Sequence, residues 1–201
     1  MSFLYHRITG EDAPVINAPP LCLRAPMATD YAQWAQLRAV SRTFLAPWEP
    51  TWTNDELTRS AFRRRLRFYA REVREERGYS FFIVLPDNTM VGGISLGHIR
   101  RGVAQSAVVG YWLGEQYAGR GYMTLALHAL GTFAFDTLNL HRLEAACLPD
   151  NTASARVLEK VGFQREGLAR QSLRINGEWR DHLLYGLLST DLCTTPSVRG
   201  G

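Results

Sequence analysis

Between an apolar run, Ser106 to Leu113, and a stripe at helical spacing (Leu125, Leu127, Leu130, Phe133, Ala134, Leu138) lies the segment Gln116-Tyr117-Ala118-Gly119-Arg120-Gly121. A strand that enters a helix through two glycines one residue apart leaves few choices for the backbone. The glycines allow a tight turn and bare N–H groups, and the first N–H groups of the next helix have no partner inside it. With the positive end of the helix macrodipole, roughly +0.5 of a charge, they make an anion site suited to a pyrophosphate. Arg120 adds a full positive charge, and Tyr122 follows at the helix start. Taken alone, this spacing also fits a plain loop-to-helix turn. It is not the dinucleotide-binding fingerprint, because the third glycine that pattern requires is Thr124, and no Gly-Lys-Ser/Thr follows to make a phosphate loop of the nucleotide-hydrolase kind.

The segments on either side set the fold class. Residues Ser2 to Pro20 carry three prolines, a glycine and little periodicity, which predicts a loosely attached arm over residues 1–20. Leu21 to Arg24 reads as a short strand, and Thr29 or Asp30 as the cap of a helix running to about Ser41. Phe44 to Trp52, with two prolines and two tryptophans, reads as irregular. Thr53 or Asn54 then caps an arginine-rich helix expected to stop at Gly78. Tyr79–Leu85 and Met90–Leu96 read as a hairpin around Pro86-Asp87-Asn88. After the strand Ser106–Leu113 come a helix from about Gly121 to Leu138, a strand Leu140–Leu148 and a helix Asn151–Val161. A closing strand pair, Phe163–Ile175 and Trp179–Leu188, turns at Asn176-Gly177. Strands and helices mix without regular βαβ alternation, so the expectation is one α+β domain over residues 21–190, with a mixed central sheet flanked by helices and a tail over 191–201.

Charge and cysteines narrow the functional classes. Of the 23 cations, 22 are arginine, and seven of these fall between Arg63 and Arg77. That run fits an ordinary amphipathic helix with a solvated face, and it fits equally a surface drawn to an anionic partner such as a ribosome or an acidic protein. Sequence-specific nucleic-acid binding is not expected. Cys22, Cys147 and Cys193 are odd in number and far apart, which predicts neither a disulfide framework nor a metal site. No run reaches the roughly 18 apolar residues of a membrane span, and Met1 to Arg7 lack the pattern of a secretory leader, so a cytoplasmic protein is expected and no membrane partner.

Two further segments give the glycine turn a more definite meaning. Gln116-x-x-Gly119-x-Gly121 followed by a helix resembles the acetyl-CoA pyrophosphate loop of the GNAT superfamily of N-acetyltransferases. Asn151-Thr152-Ala153-Ser154 with Leu158-Glu159-Lys160-Val161-Gly162-Phe163 resembles its Asn-x-x-Ser…Gly-Phe segment. The resemblance covers nearly all of residues 21–190. Within the superfamily, Phe44 to Pro50, Gly110 to Gly114 and Asn176 to His182 are similar to the RimJ ribosomal-protein alanine N-acetyltransferases.

The resemblance implies acetyl-CoA as cosubstrate, with a protein N-terminus as acceptor and possible ribosome contact. It implies that the strand edge at Tyr111, Trp112 and Leu113 takes the pantetheine arm, that Gln116, Gly119, Arg120, Gly121 and Tyr122 take the pyrophosphate, and that Asn151 and Ser154 hold the thioester region. The superfamily's frequent tyrosine acid corresponds here to Leu158, so Ser154 is expected to give the departing thiolate its proton. Glu49 and Asp181, with His182 as an alternative to the latter, are candidates to contact the amine. No glutamate stands on the Val108–Leu113 strand. An α-amine titrates near ~7.7 to 8.0 and is partly neutral at neutral pH, whereas a lysine near ~10.4 is neutral in about one part in a thousand. A missing strong base therefore favours an α-amine. Two other readings stay open at this point: an acetyltransferase for a small amine such as an amino acid, polyamine or drug, and a non-catalytic ribosome- or RNA-associated protein with the same fold.

Overall fold

The computed structural model describes residues 14–192, so most of the expected arm, the tail and Cys193 lie outside it. Eight strands form one sheet: β1 (Ile16–Ala18), β2 (Leu21–Arg24), β3 (Tyr79–Val84), β4 (Met90–Arg100), β5 (Ser106–Leu113), β6 (Arg142–Cys147), β7 (Gln164–Ile175) and β8 (Glu178–Leu188). Their spatial order is β1-β2-β3-β4-β5-β6-β8-β7. Every neighbouring pair is antiparallel except β5 and β6. The helices are α1 (Tyr31–Val40), α2 (Arg42–Leu45), α3 (Arg59–Arg74), α4 (Tyr122–Thr132) and α5 (Thr152–Val161).

Strand β3 shows why the sheet is a middle layer. Apart from Ser80 its residues are aromatic or branched, and they alternate in direction. Phe81 and Ile83 join the larger core, which holds Leu127 and Leu130 of α4 and Leu158 of α5. Phe82 and Val84 join a second core with Trp34 and Leu37 of α1 and Phe62 of α3. Phe62 stacks on Phe82 with ring centroids 6.4 Å apart and tilts against Trp34 at 4.9 Å. Leu127, Leu130, Leu143 and Leu158 are fully buried, each worth roughly 1.5–3 kcal/mol relative to exposure.

Some boundaries differ from the sequence reading, each for a local reason. Ordered sheet starts before Leu21, because Ile16 to Ala18 pair with Leu23 to Leu21 as β1. The cap of α3 is Thr58, whose Oγ1 accepts from the Ala61 amide at 3.2 Å, and not Thr53 or Asn54. Thr53 instead closes a preceding turn, with its carbonyl accepting from the Glu56 amide at 3.1 Å. Helix α3 stops at Arg74 and reaches Gly78 through a turn in which the Glu72 carbonyl accepts from the Arg77 amide at 2.8 Å. The segment expected to be irregular, Phe44 to Trp52, begins with the end of α2 and continues in a 3-10 turn, Ala46–Trp48, which admits Pro47 in its first turn, where no backbone donor is needed. Helix α4 ends in a π turn, Phe133–Thr137.

The feature that positions the site is the junction of β5 and β6. They pair only through Ser106, Ala107 and Val108 against Arg142, Leu143 and Glu144. Beyond Val108 the two strands part, while β5 stays bonded to β4 as far as Leu113 and β6 to β8 as far as Cys147. The gap leaves the edge of β5 from Val109 onward without a strand partner on the β6 side.

Candidate active site

That gap is a cavity of about 570 Å³. Val109 to Leu113 form one wall and Ala145 to Leu148 the other, and two helix starts close its ends. The first is α4. Gly119 and Gly121 have φ of +75° and +80°, in the left-handed region where a side chain is strained, and a Cβ at either would meet nothing within 4 Å. Gly121 is the N-cap, so the opening amides of α4 lie at a lining made of Ala118, Gly119, Gly121, Met123 and Thr124. Gln116, in a 3-10 turn, is exposed and does not line the cavity. Neither does Arg120, whose guanidinium lies 5.9 Å from the Tyr117 ring, nor Tyr122, which is half-buried against the core.

The second helix start is α5. Asn151 is its N-cap, its Oδ1 accepting from the Ser154 amide at 3.0 Å. Asn151, Thr152, Ala153 and Ser154 line the cavity, with Arg156 and Lys160 further along the same helix. Gly162, at φ +112°, ends α5, and the Phe163 amide donates to the Leu158 carbonyl at 3.1 Å. The Gly-Phe pair is thus a helix stop that returns a buried ring to the core.

Ser154 has a partner across the gap. Its Oγ lies 2.8 Å from the Tyr111 hydroxyl of β5. Burial pushes the Tyr111 phenol far above its usual range, partly offset by the bond to Ser154, so it remains protonated at neutral pH. Burial also raises the Cys147 thiol of β6, against a hydrogen bond to Ser154 that lowers it. Tyr111 was legible only as part of a strand edge; that its side chain meets Ser154, 43 positions away, depends on the splay of β5 from β6. Leu158, where a tyrosine acid is frequent in the superfamily, is fully buried.

A second cavity, of about 360 Å³, opens on the other side of β5. It shares Glu49, Gly110, Tyr111 and Trp112 with the first, so the two meet there. Trp34, Trp52 and Tyr69 add aromatic walls, while Trp48 faces the first cavity. The Glu49 carboxylate is committed: Arg38 donates to it twice, at 2.9 and 2.6 Å, and the Trp52 indole once, at 2.7 Å. Arg38 is itself buried, with its guanidinium 4.4 and 5.0 Å from the rings of Trp52 and Trp112. The Glu49 carbonyl accepts from the Asn176 amide at 2.9 Å, tying the β7–β8 turn to the same loop.

Asp181 is not brought to either cavity. Its Oδ1 accepts from the Gln171 amide at 2.8 Å, bracing β7 within its register shift between Ala169 and Leu173. His182, the alternative to it, is buried and lines the first cavity. Its Nδ1 lies 3.0 Å from the Arg180 carbonyl, which can only accept. The Ser172 hydroxyl is also 3.3 Å from Nδ1 and can accept as well, so with Nδ1 donating to the carbonyl the neutral ring keeps Nε2 as its acceptor.

An extended gap with a free strand edge, an open glycine turn and two helix starts fits a long thioester carrier bearing phosphates. The comparisons agree. The model of the acetyltransferase (GNAT) domain matches residues 20–164. The protein named "Probable N-acetyltransferase YjcK" of Bacillus subtilis (strain 168) is 34% identical over 178 residues, covering 88% of this chain and 98% of its own length. The [ribosomal protein uS5]-alanine N-acetyltransferase of Escherichia coli (strain K12) is 31% identical over 172 residues, 85% of this chain and 89% of its own. Mycobacterium smegmatis RimJ, solved in complex with CoA-disulfide, superposes with a TM-score of 0.84 at 32% identity, over 91% of this chain and 90% of that one. With this sheet and this cavity, the chain belongs to the GNAT superfamily and is an acetyl-CoA-dependent N-acetyltransferase.

Proposed function

We propose that the chain acetylates the N-terminal α-amine, alanine first, of a ribosomal protein by direct attack on acetyl-CoA. The observation that carries this reading is the meeting of the two cavities at Gly110, Tyr111 and Trp112, beside the Tyr111–Ser154 pair. One cavity has room for a long carrier, and the other, walled by indoles, has room for the first residues of a chain. The uS5-alanine acetyltransferase and RimJ relatives supply the acceptor class.

Acetyl-CoA supplies an activated acyl group and a thiol leaving group. In this proposal the turn at Gly119 to Gly121 and the α4 amides hold the pyrophosphate, with Gln116, Arg120 and Tyr122 supporting it from outside the lining. The free edge of Tyr111, Trp112 and Leu113 takes the pantetheine arm, and Asn151 fixes the start of α5. Ser154 holds the proton that the departing sulfur needs, and Tyr111 donates to the Ser154 oxygen behind it. Glu49 positions the acceptor wall through Arg38 and Trp52; with both its oxygens already accepting, it is poorly placed to take the amine's proton. The group on β8 suited to that step is His182 through Nε2, whereas Asp181 shapes β7. A weak base suffices because an α-amine near ~7.7 to 8.0 is already partly neutral.

Intact-mass analysis tests this reading. Peptides with ribosomal-protein N-termini beginning in alanine should gain one acetyl group, and the same peptides with a blocked α-amine should gain none. Equal or faster transfer to free amino acids or polyamines would replace it with the small-amine reading, and no transfer to any amine would refute it.

A further inference from the structure

Helix α3 has two faces with different work. On one, Arg65 and Tyr69 line the smaller cavity and Phe62 enters the core. On the other stand Arg63, Arg67, Arg71 and Arg74, all exposed. At about 100° per residue these four lie within an arc of about 80°, and at 1.5 Å per residue they form a ladder about 16 Å long. The neighbouring arginines are neutralised: Arg64 pairs with Asp55, Arg65 with Glu56, and Arg77 with Glu72 and Glu75. The four of the ladder form no ion pair among the described residues. Phe68, 48% exposed, stands beside them with the Arg71 guanidinium 5.6 Å from its ring.

We propose that this face of α3 is a docking strip for the phosphate backbone of RNA. The charge is unpaired and of one sign, which suits a polyanion. Each guanidinium is a planar fork that bonds two phosphate oxygens at once, and an exposed ring among arginines offers a base a stacking surface. A regular ladder of forks matches a repeating phosphate chain better than the irregular carboxylates of an acidic protein surface. The strip reads no bases, so contact is insensitive to sequence. Because the same helix walls the smaller cavity, an RNA-bound protein substrate would be held next to that opening. The inference is independent of which amine is acetylated.

The test uses the full chain, two labelled RNA hairpins of unrelated sequence and poly-glutamate as the protein-like polyanion. Replacing the four by glutamine (R63Q, R67Q, R71Q, R74Q) keeps helix propensity and touches neither cavity. The plot of log affinity against log salt should become shallower by about 3 for RNA, with affinity for both hairpins falling roughly tenfold or more at moderate salt. Acetylation of a free peptide and the melting temperature should stay as in the parent chain, and the four-lysine variant should keep most of the salt slope. No RNA binding by the parent chain, an unchanged slope in the glutamine variant, or poly-glutamate binding as tight as RNA would each overturn the proposal. None of these outcomes depends on the acceptor reading, which the peptide assay tests alone.

Discussion

The two cavities that meet at Tyr111 are built from different materials. The larger is mostly backbone: an unpaired strand edge, two left-handed glycines and the first amides of α4 and α5. The smaller is side chain: indoles and the Arg38–Glu49 pair, joining α1 to a loop eleven residues on. A backbone site depends on local chain geometry and tolerates changes of side chain. A side-chain site depends on residues that meet only after folding, so one substitution can remove a whole wall.

The largest expected effect tests that second half. Arg38→Ala leaves the Glu49 carboxylate with no cation beside it, and removing one partner of a buried pair costs about 3–5 kcal/mol. Urea unfolding should show that loss; a change smaller than about 1 kcal/mol would mean that the pair does not hold the wall. In the backbone half, Gly121→Val puts a branched side chain at φ +80°, a strain of about 1–3 kcal/mol that the loop relieves only by moving its amides. Calorimetry should show acetyl-CoA affinity falling roughly tenfold or more with a smaller change in melting temperature. Unchanged affinity would break the comparison, because the cradle would then not be backbone.

The same division explains what could be read from the chain. The glycine turn, the Asn151 cap, the Gly162 stop and seven of the eight strands follow from short-range signals and were legible. Strand β1 was not, because the proline-rich stretch around it shows no alternation, and Ile16–Ala18 become a strand only when β2 is there to pair with. Thr53 and Asn54 have good capping side chains, yet a turn uses them first and Thr58 starts α3. The Tyr111 hydroxyl, the Arg38–Glu49 pair and the position of His182 rest on contacts between elements distant in sequence. Asp181 and His182 were equally legible as candidates to contact the amine; alternation along β8 turns His182 to the larger cavity and leaves Asp181 on the Gln171 amide.

Acidity sharpens the picture at the junction. Burial raises the Tyr111 phenol and the Cys147 thiol, so the folded state favours their protonated forms. That contribution is fully present below the unfolded values, near ~8.5 for the thiol and ~10 for the phenol, and is lost as pH rises past them. Melting temperature should decline above about pH 9, less steeply in Tyr111→Phe; parallel curves would mean that the phenol is not buried as described. The rate with an alanine peptide should rise with pH and level near ~8, the range of an α-amine, whereas continued rise toward ~10 would point to lysine. The smallest effect belongs to Arg156 and Lys160, exposed charges on α5 beside the larger cavity. Changing both to alanine should raise the KM for acetyl-CoA about two- to fivefold, the scale of an exposed charge contact, and added salt should erase the difference.

The proposed proton-holding pair is Ser154 with Tyr111 behind it, 2.8 Å apart beside the junction of the cavities. Single-turnover acetylation of an alanine-terminated peptide by Ser154→Ala, with acetyl-CoA binding measured by calorimetry on the same sample, tests it most directly. The predicted result is a transfer rate about a hundredfold or more below the parent chain, with acetyl-CoA affinity within a few-fold and no further loss on adding Tyr111→Phe. A transfer rate equal to the parent's with cofactor bound would contradict it.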